Sequence, residues 1–284
     1  MRYEISYRSD YHYDAPVAGN LNRLRMRPSD GGTQRTEHFD VRVAPEALRH
    51  DHSDLFGNHV VEVLVAAPHQ ELTVEVDALV ATTDPLPAPQ GAWPDLRTDG
   101  YRAVAGVYRF DLEPQPDPAP LASLLEAARG DTPAATVGRV MTLVKDRFAY
   151  TPGVTSVDTT VEEFVAGGAG VCQDFAHLAG RLLRAHDIAA RYVSGYFFTT
   201  PDADGESAEV ETHAWVEALL PVTGEGSPPV WHGIDPTNGI PAGKAHVKIG
   251  HGRVYADVPP VEGTFSGRAS STVDAHVSMR RLPG

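Results

Sequence analysis

A single cysteine, Cys172, stands among 284 residues. An intrachain disulfide is therefore impossible, and a zinc site built from several cysteines is excluded. No apolar run approaches the roughly 20 residues that a bilayer-spanning helix needs. The opening Met1-Arg2-Tyr3-Glu4-Ile5-Ser6-Tyr7 alternates like a strand and does not read as a secretory signal, so the cytoplasm is the expected setting. Clustered lysine and arginine are also missing. The formal charge is −14, with acidic residues in excess both before and after residue 83. This speaks against nucleic acid or an anionic membrane as the main partner. Internal repeats and low-complexity tracts are absent apart from the prolines.

What remains is an ordinary globular composition, 42% hydrophobic and 22% charged. The length is comfortable for two domains. The first stretch, 1–83, is all β in pattern. Glu37–Val43, Val60–Ala66 and Leu72–Val80 are valine-rich and alternate or run apolar, with turn residues such as Asp54-Leu55-Phe56-Gly57-Asn58 between them. A sandwich-like or curled β domain is expected. Residues 84–120 read as a proline-rich linker, opened by Asp84-Pro85-Leu86-Pro87-Ala88-Pro89 and closed by Pro114, Pro116, Pro118 and Pro120. The piece Tyr101–Leu112 between them has no clear assignment.

From 121 to 284 the pattern turns α+β. Thr132-Pro133 predicts a helix start, followed by Val137, Val140, Met141, Val144 and Phe148 at helical spacing. A short helix should follow Thr159 or Thr160, each with a glutamate three residues on. A third begins at or near Cys172 and buries Phe175, Leu178, Ala179, Leu182, Leu183 and His186 on one face. Strands are expected at Ala189–Phe198, Thr212–Leu220 and Val230–Ile234. Ser271–Arg281 is a closing strand of this second domain, with Val273, Ala275, Val277 and Met279 inward. Helices followed by antiparallel strands make an α+β layout.

Three places carry chemistry. Gly167-Gly168-Ala169-Gly170 leads straight into Cys172 at a helix start, where unpaired amide hydrogens and the helix dipole favour a thiolate and can hold an oxyanion. The plainer alternative is an inert cysteine packed as a small hydrophobe. In Glu211-Thr212-His213-Ala214-Trp215-Val216-Glu217, alternation puts His213, Trp215 and Glu217 on one face of a strand. By itself such a histidine is more often a core residue. Asp235, in Trp231-His232-Gly233-Ile234-Asp235-Pro236-Thr237-Asn238, ends the next strand, and in isolation an Asp-Pro of this kind caps its own turn. A thiol nucleophile needs a base and the base an orienting group, and a hairpin of these two strands would bring His213 and Asp235 together.

The order Gly170-x-Cys172-x-Asp174-Phe175-Ala176-His177-Leu178, then His213-Ala214-Trp215-x-Glu217, then Asp235-Pro236-Thr237-Asn238 resembles the transglutaminase-like superfamily of cysteine enzymes. Arg191-Tyr192-Val193-Ser194-Gly195-Tyr196 and His246 through Gly252-Arg253-x-Tyr255-x-Asp257-Val258-x-Pro260 are similar to its bacterial branch, although Val254 stands where that branch carries an aspartate. Tyr11-x-Tyr13-x-x-Pro16-Val17 and Asp54–Asn58 are similar to the β domain that precedes the core there. The resemblance implies a papain/transglutaminase-like core of helices on an antiparallel sheet. It also implies Cys172 as nucleophile, His213 as general base and acid, and Asp235 as the orienter of the imidazole. The superfamily includes cross-linking acyltransferases, deamidases, peptidases and amidases, so kinship does not choose the reaction.

The expected function is acyl transfer on an amide or peptide bond through a Cys172 thioester, resolved by water or an amine. The expected partner is a peptide, a protein or a small amide, and no cofactor or metal is expected. Tyr150 could line the cleft or donate to an oxyanion, although a buried packing tyrosine is the plainer reading. Gly170 is a candidate for binding substrate or the oxyanion, and Trp215 is either a roof over the site or, equally, a core tryptophan. Asp174 is read as a partner of the helix dipole. His12, His50, His52, His59, His69 and His177 are read as structural or surface residues. Two other classes stay open: a catalytically inactive binding or scaffold module, and a metallohydrolase built on Cys172, His213, Asp235 and His232.

Overall fold

The computed structural model describes residues 1–111, 119–199, 207–224 and 226–283. Pro114, Pro116 and Pro118, and Leu112 before them, lie outside the described residues. Among the described residues, no helix is long and apolar enough to cross a membrane.

Five strands come first: β1 Arg2–Leu24, β2 Gln34–Ala44, β3 Leu48–Ser53, β4 His59–Val65 and β5 His69–Thr82. β1 is long enough to serve two pairings. Its first half lies against β5, from Arg2 opposite Ala81 to His12 opposite Glu71, and its second half against β4, with Asn22 opposite Val63. The result is a curled sheet whose inner face buries Tyr3, Ile5, Val63, Leu72, Val74, Val76 and Val80.

The chain after β5 is more structured than its prolines imply. Trp93–Arg97 forms a 3-10 turn, α1 spans Asp99–Ala105, and a second 3-10 turn spans Gly106–Arg109. Leu96, Tyr101 and Ala105 enter the core of the helical layer, and Tyr101 Oη bridges it by donating to Leu219 O (3.1 Å) and accepting from Ala189 N (3.0 Å). The linker expected over 84–120 therefore holds part of the second unit's core.

There follow α2 Ala119–Ala128, α3 Pro133–Arg147, β6 Ala149–Tyr150, α4 Val161–Gly167, β7 Ala169–Gly170 and α5 Cys172–Ala185. α3 starts where the sequence signals it, with Thr132 Oγ1 accepting from Ala135 N at 3.1 Å. Thr160, not Thr159, caps α4 in a reciprocal box with Glu163. The strands β8 Ala190–Phe197, β9 Ser207–Glu209, β10 Thr212–Leu220, β11 Val230–Asp235, β12 Ile240–Pro241 and β13 His246–Gly252 come next. All but β9 form one antiparallel sheet in the order β12-β11-β10-β8-β13. Phe175, Leu178, Ala179, Leu182 and Leu183 of α5 share a core with Ala214, Val216 and Ala218 of β10. Deleting one such leucine side chain would cost about 2–5 kcal/mol.

The last two strands, β14 Val261–Ser266 and β15 Ser271–Leu282, leave this sheet. β15 pairs with β1 from Arg2 opposite Leu282 to Tyr13 opposite Ser271, and β9 pairs with β15 in turn. The expected closing strand thus closes the N-terminal sheet and not the second unit. The inward pattern holds only at one end: Val277 and Met279 are buried, while Val273 is 56% exposed. The two units pack through one core in which Tyr196, Phe198, Val247 and Ile249 meet the N-terminal sheet, with Tyr3 and Phe198 ring centroids 5.3 Å apart. Side-chain amides clamp the junction. Gln34 donates to Lys248 O (2.7 Å) and accepts from Lys248 N (2.9 Å), and Asn58 does the same with His251 O and N (2.8 Å each).

Candidate active site

α4 ends on Gly168 in the left-handed region (φ 73°), the usual stop for a helix. The next two residues form β7, which pairs in parallel with β6 and sets Tyr150 beside Gly170. The chain then turns into α5 with Cys172 as its first residue. Asp174 folds back over this start: its Oδ2 accepts from Val171 N (2.8 Å) and Thr155 Oγ1 (2.7 Å), and the residue is buried. Helix geometry leaves the amide hydrogens of Cys172 and Gln173 without intrahelical partners. Cys172 is partly buried.

The hairpin of β10 and β11 sets Val216 opposite Ile234, so the same register brings Asp235 level with Trp215 and next to His213. His213 Nε2 lies 2.8 Å from Asp235 Oδ2. Asp235 is fully buried, and its two oxygens divide the work. Oδ1 accepts from Thr237 N (3.0 Å) and Asn238 N (3.1 Å), the turn-capping role of an Asp-Pro loop. Oδ2 accepts from His213, from Asn238 Nδ2 at 2.7 Å, and from His246 Nε2 at 3.1 Å. Burial alone would push this carboxyl up. The bonds from His213, His246 and Asn238 outweigh it and hold Asp235 well below the usual carboxylate range.

An ionised, acceptor-only Asp235 requires that His213 Nε2 carry a proton, which leaves Nδ1 for the sulfur of Cys172. Burial disfavours the imidazolium, but the Asp235 hydrogen bond, the Cys172 hydrogen bond and both charges raise His213 from 6.5 to about 9. The ring is held between Phe197 (centroids 5.5 Å) and Trp215 (6.1 Å).

A cleft of about 400 Å³ opens in front of His213, lined also by Tyr150, Glu211, Lys145, Thr237 and Asn238. Tyr150 is 46% exposed there, not packed away. Partial burial, then the charges of Cys172 and Glu211, push its hydroxyl up. Trp215 does not line this cleft. It is buried beneath His213, edge-on to His246 at 5.2 Å. Gly170 makes its close approach within the protein, to Asp174 and Phe164.

His246 has no place in the sequence reading beyond opening a motif block, yet it shares the Asp235 carboxylate. It lies eleven positions after Asp235, beyond the short strand β12, and only the return of the chain as β13 brings it close. His232, suggested as a metal ligand, sits three residues from Asp235 on β11 and has no bond to it. Donor atoms of His213, Asp235 and His246 lie within 4.8 Å of one another, a donor set that could hold a metal ion. In the arrangement seen, both imidazoles use their Nε2 atoms on Asp235.

Residues 3–81 match the bacterial transglutaminase-like N-terminal region, and residues 121–236 match the transglutaminase-like superfamily. Uncharacterized protein ML0607 of Mycobacterium leprae is 31% identical over 289 residues, which cover 99% of this chain and 99% of that protein. Uncharacterized protein Rv2569c of Mycobacterium tuberculosis is 31% identical over 297 residues, covering 100% and 94%. A crystal structure from Cytophaga hutchinsonii, of a protein named only provisionally as a cysteine protease, has a TM-score of 0.76 at 24% identity and covers 100% of this chain and 91% of that one. That likeness speaks for the fold.

Proposed function

We propose that this chain, which belongs to the transglutaminase-like superfamily, transfers acyl groups from amide or peptide bonds by way of a thioester on Cys172. One observation carries the reading. The Nε2 edge of His213 is fixed to a buried carboxylate, and its other edge is left for a thiol at the first residue of a helix.

The chemistry follows from these positions. The His213 imidazolium already holds a proton on Nδ1 beside the sulfur, and the sulfur attacks the carbonyl carbon of the substrate. The oxyanion that forms faces the amide hydrogens at the start of α5, where a helix N-terminus favours negative charge. The imidazolium, stabilised by Asp235, then gives its proton to the nitrogen as the C–N bond breaks, and the amine leaves. Water or a second amine attacks the thioester and delivers a proton to His213. The C–S bond breaks, and the imidazolium once more faces the freed sulfur. The substrate class is a peptide, a protein or a small amide. The cleft with Tyr150, Glu211 and Lys145 on its walls is where the acyl donor would lie.

The test is alkylation by iodoacetamide at pH 7. Cys172 should react faster than a free model thiol, and His213→Ala should slow it by at least about tenfold. A wild-type rate no faster than that of the model thiol would remove the nucleophile from this reading.

A further inference from the structure

Trp215 and Glu217 point away from α5, toward the N-terminal unit. There a recess of about 700 Å³ lies between the two units, roofed by the Gln34 and Asn58 clamps on β13. Its charges do not balance. Glu217 Oε2 takes Lys248 Nζ at 2.7 Å and also the Nε of Arg191, so two cations face one carboxylate. All three side chains are largely buried, at 14%, 14% and 16% exposure for Arg191, Lys248 and Glu217. The other ion pair on the wall, Arg27 with Asp30 at 2.7 Å, cancels itself.

His251 does not supply the missing negative charge and adds an unmet donor. Arg191 Nη1 lies 3.3 Å from His251 Nε2, and a guanidinium can only donate, so Nε2 accepts and Nδ1 carries the hydrogen. That Nδ1 is buried without a partner. Burial and the neighbouring Lys248 and Arg191 push His251 down to about 2, so it is neutral. Glu217 is pulled to about 2 against its burial, chiefly by Lys248 and Arg191. Lys248 is lowered to about 8 by burial and is still charged at pH 7. A surplus buried cation and an orphaned donor are both costly when left unanswered.

We propose that this recess binds a small carboxylate with an apolar body. Lys248 and Arg191 hold the anion, and the indoles of Trp215 and Trp231 face the body. Arg191 already lies over Trp231, its Cζ 4.1 Å from the ring centroid, so charge and apolar wall meet at one place. The site is separate from the cleft in front of His213, and its existence does not depend on the acyl-transfer reading. Trp215 and His246 are the partition between them.

The experiment is calorimetric titration of the full chain with phenylacetate, and with 2-phenylethanol as a neutral analogue of the same shape. The proposal expects saturable binding of phenylacetate and at least about tenfold weaker binding of the alcohol. One variant tests the anion site directly. Lys248→Met leaves Arg191 and Glu217 as a balanced pair, so it should fold and should weaken phenylacetate binding about tenfold or more. Lack of binding by the wild-type chain, equal affinity for the alcohol, or an unchanged affinity in a folded Lys248→Met protein would each overturn the proposal.

Discussion

Asp235 Oδ2 is shared by two imidazoles from different strands, His213 Nε2 at 2.8 Å from β10 and His246 Nε2 at 3.1 Å from β13. The second histidine is fixed in its turn. Gly243 N donates to His246 Nδ1 at 3.1 Å, so the proton of His246 sits on Nε2 and points at the carboxylate. A loop amide thus orients one imidazole, that imidazole steadies Asp235, and Asp235 orients the imidazole that faces the sulfur.

If His246 acts by positioning Asp235, His246→Phe should keep the aromatic contacts to Phe197 and Trp215 but remove the donor. Stability should fall by about 1–3 kcal/mol, because a buried acceptor loses a partner. Turnover should fall about tenfold, and His246→Gln should recover part of it. The high-pH limb of the rate should not move down, since losing a competing donor leaves more of the Asp235 charge for His213. A limb that moves down would show that His246 supports His213 by charge and not by position.

Asp235→Asn makes the opposite prediction about that limb. Protonated His213 is the acid that expels the amine, so kcat/KM should decline as pH rises through about 9. With the charge removed, burial dominates, and the limb should fall toward or below the ordinary histidine value of 6.5. The activity that remains at pH 7 should be lower by roughly 10³–10⁴, since the imidazole loses both its orientation and its counter-charge. A pH–rate profile on any amide substrate checks both.

The same shift has a consequence for stability. The folded-state value of His213, about 9, is above its ordinary value of 6.5, so the native state holds the extra proton between those limits. Its stabilising contribution is complete below about pH 6.5 and is lost as pH rises through about 9. It amounts to roughly 3 kcal/mol. Urea midpoints of the wild type and His213→Ala should therefore differ more at pH 6 than at pH 9.5. Equal differences at the two pH values would contradict the assigned shift.

Much of the site is written in local patterns. The two-residue period of Thr212–Glu217 already puts His213 and Glu217 on one face, and the glycine loop before Cys172 already announces a helix start. Other parts have no local signal. The pairing of β15 with β1 joins the ends of the chain, and nothing in Ser271–Leu282 tells which sheet it will complete. Tyr101 lies between proline stretches, yet it is buried because its hydroxyl finds Leu219 O and Ala189 N far along the chain. His246 is a lone histidine after a loop, and its part depends on β13 lying beside β8 and not beside β11. Trp215 reads as a possible roof because alternation gives its face but not what that face meets.

Gly170 shows how a residue can be singled out for one reason and needed for another. A glycine just before a nucleophile invites a reading in which substrate approaches the backbone. A Cβ at Gly170 would instead lie 2.4 Å from Asp174 Oδ2 and 2.8 Å from Phe164 Cδ2. Phe164 is buried between Phe148 and Phe175, with ring centroids at 4.7 and 5.3 Å, so it has little room to yield. Asp174 would have to give way, and with it the bonds from Val171 N and Thr155 Oγ1 that shape the start of α5. Gly170→Ala should therefore cost about 1–3 kcal/mol in a urea melt and slow alkylation of Cys172. Asp174→Asn should also slow alkylation, because it weakens the same bonds with no change in volume. If Gly170→Ala lowered only the affinity for substrate and left stability and thiol reactivity intact, the close approach that matters would be to the ligand after all.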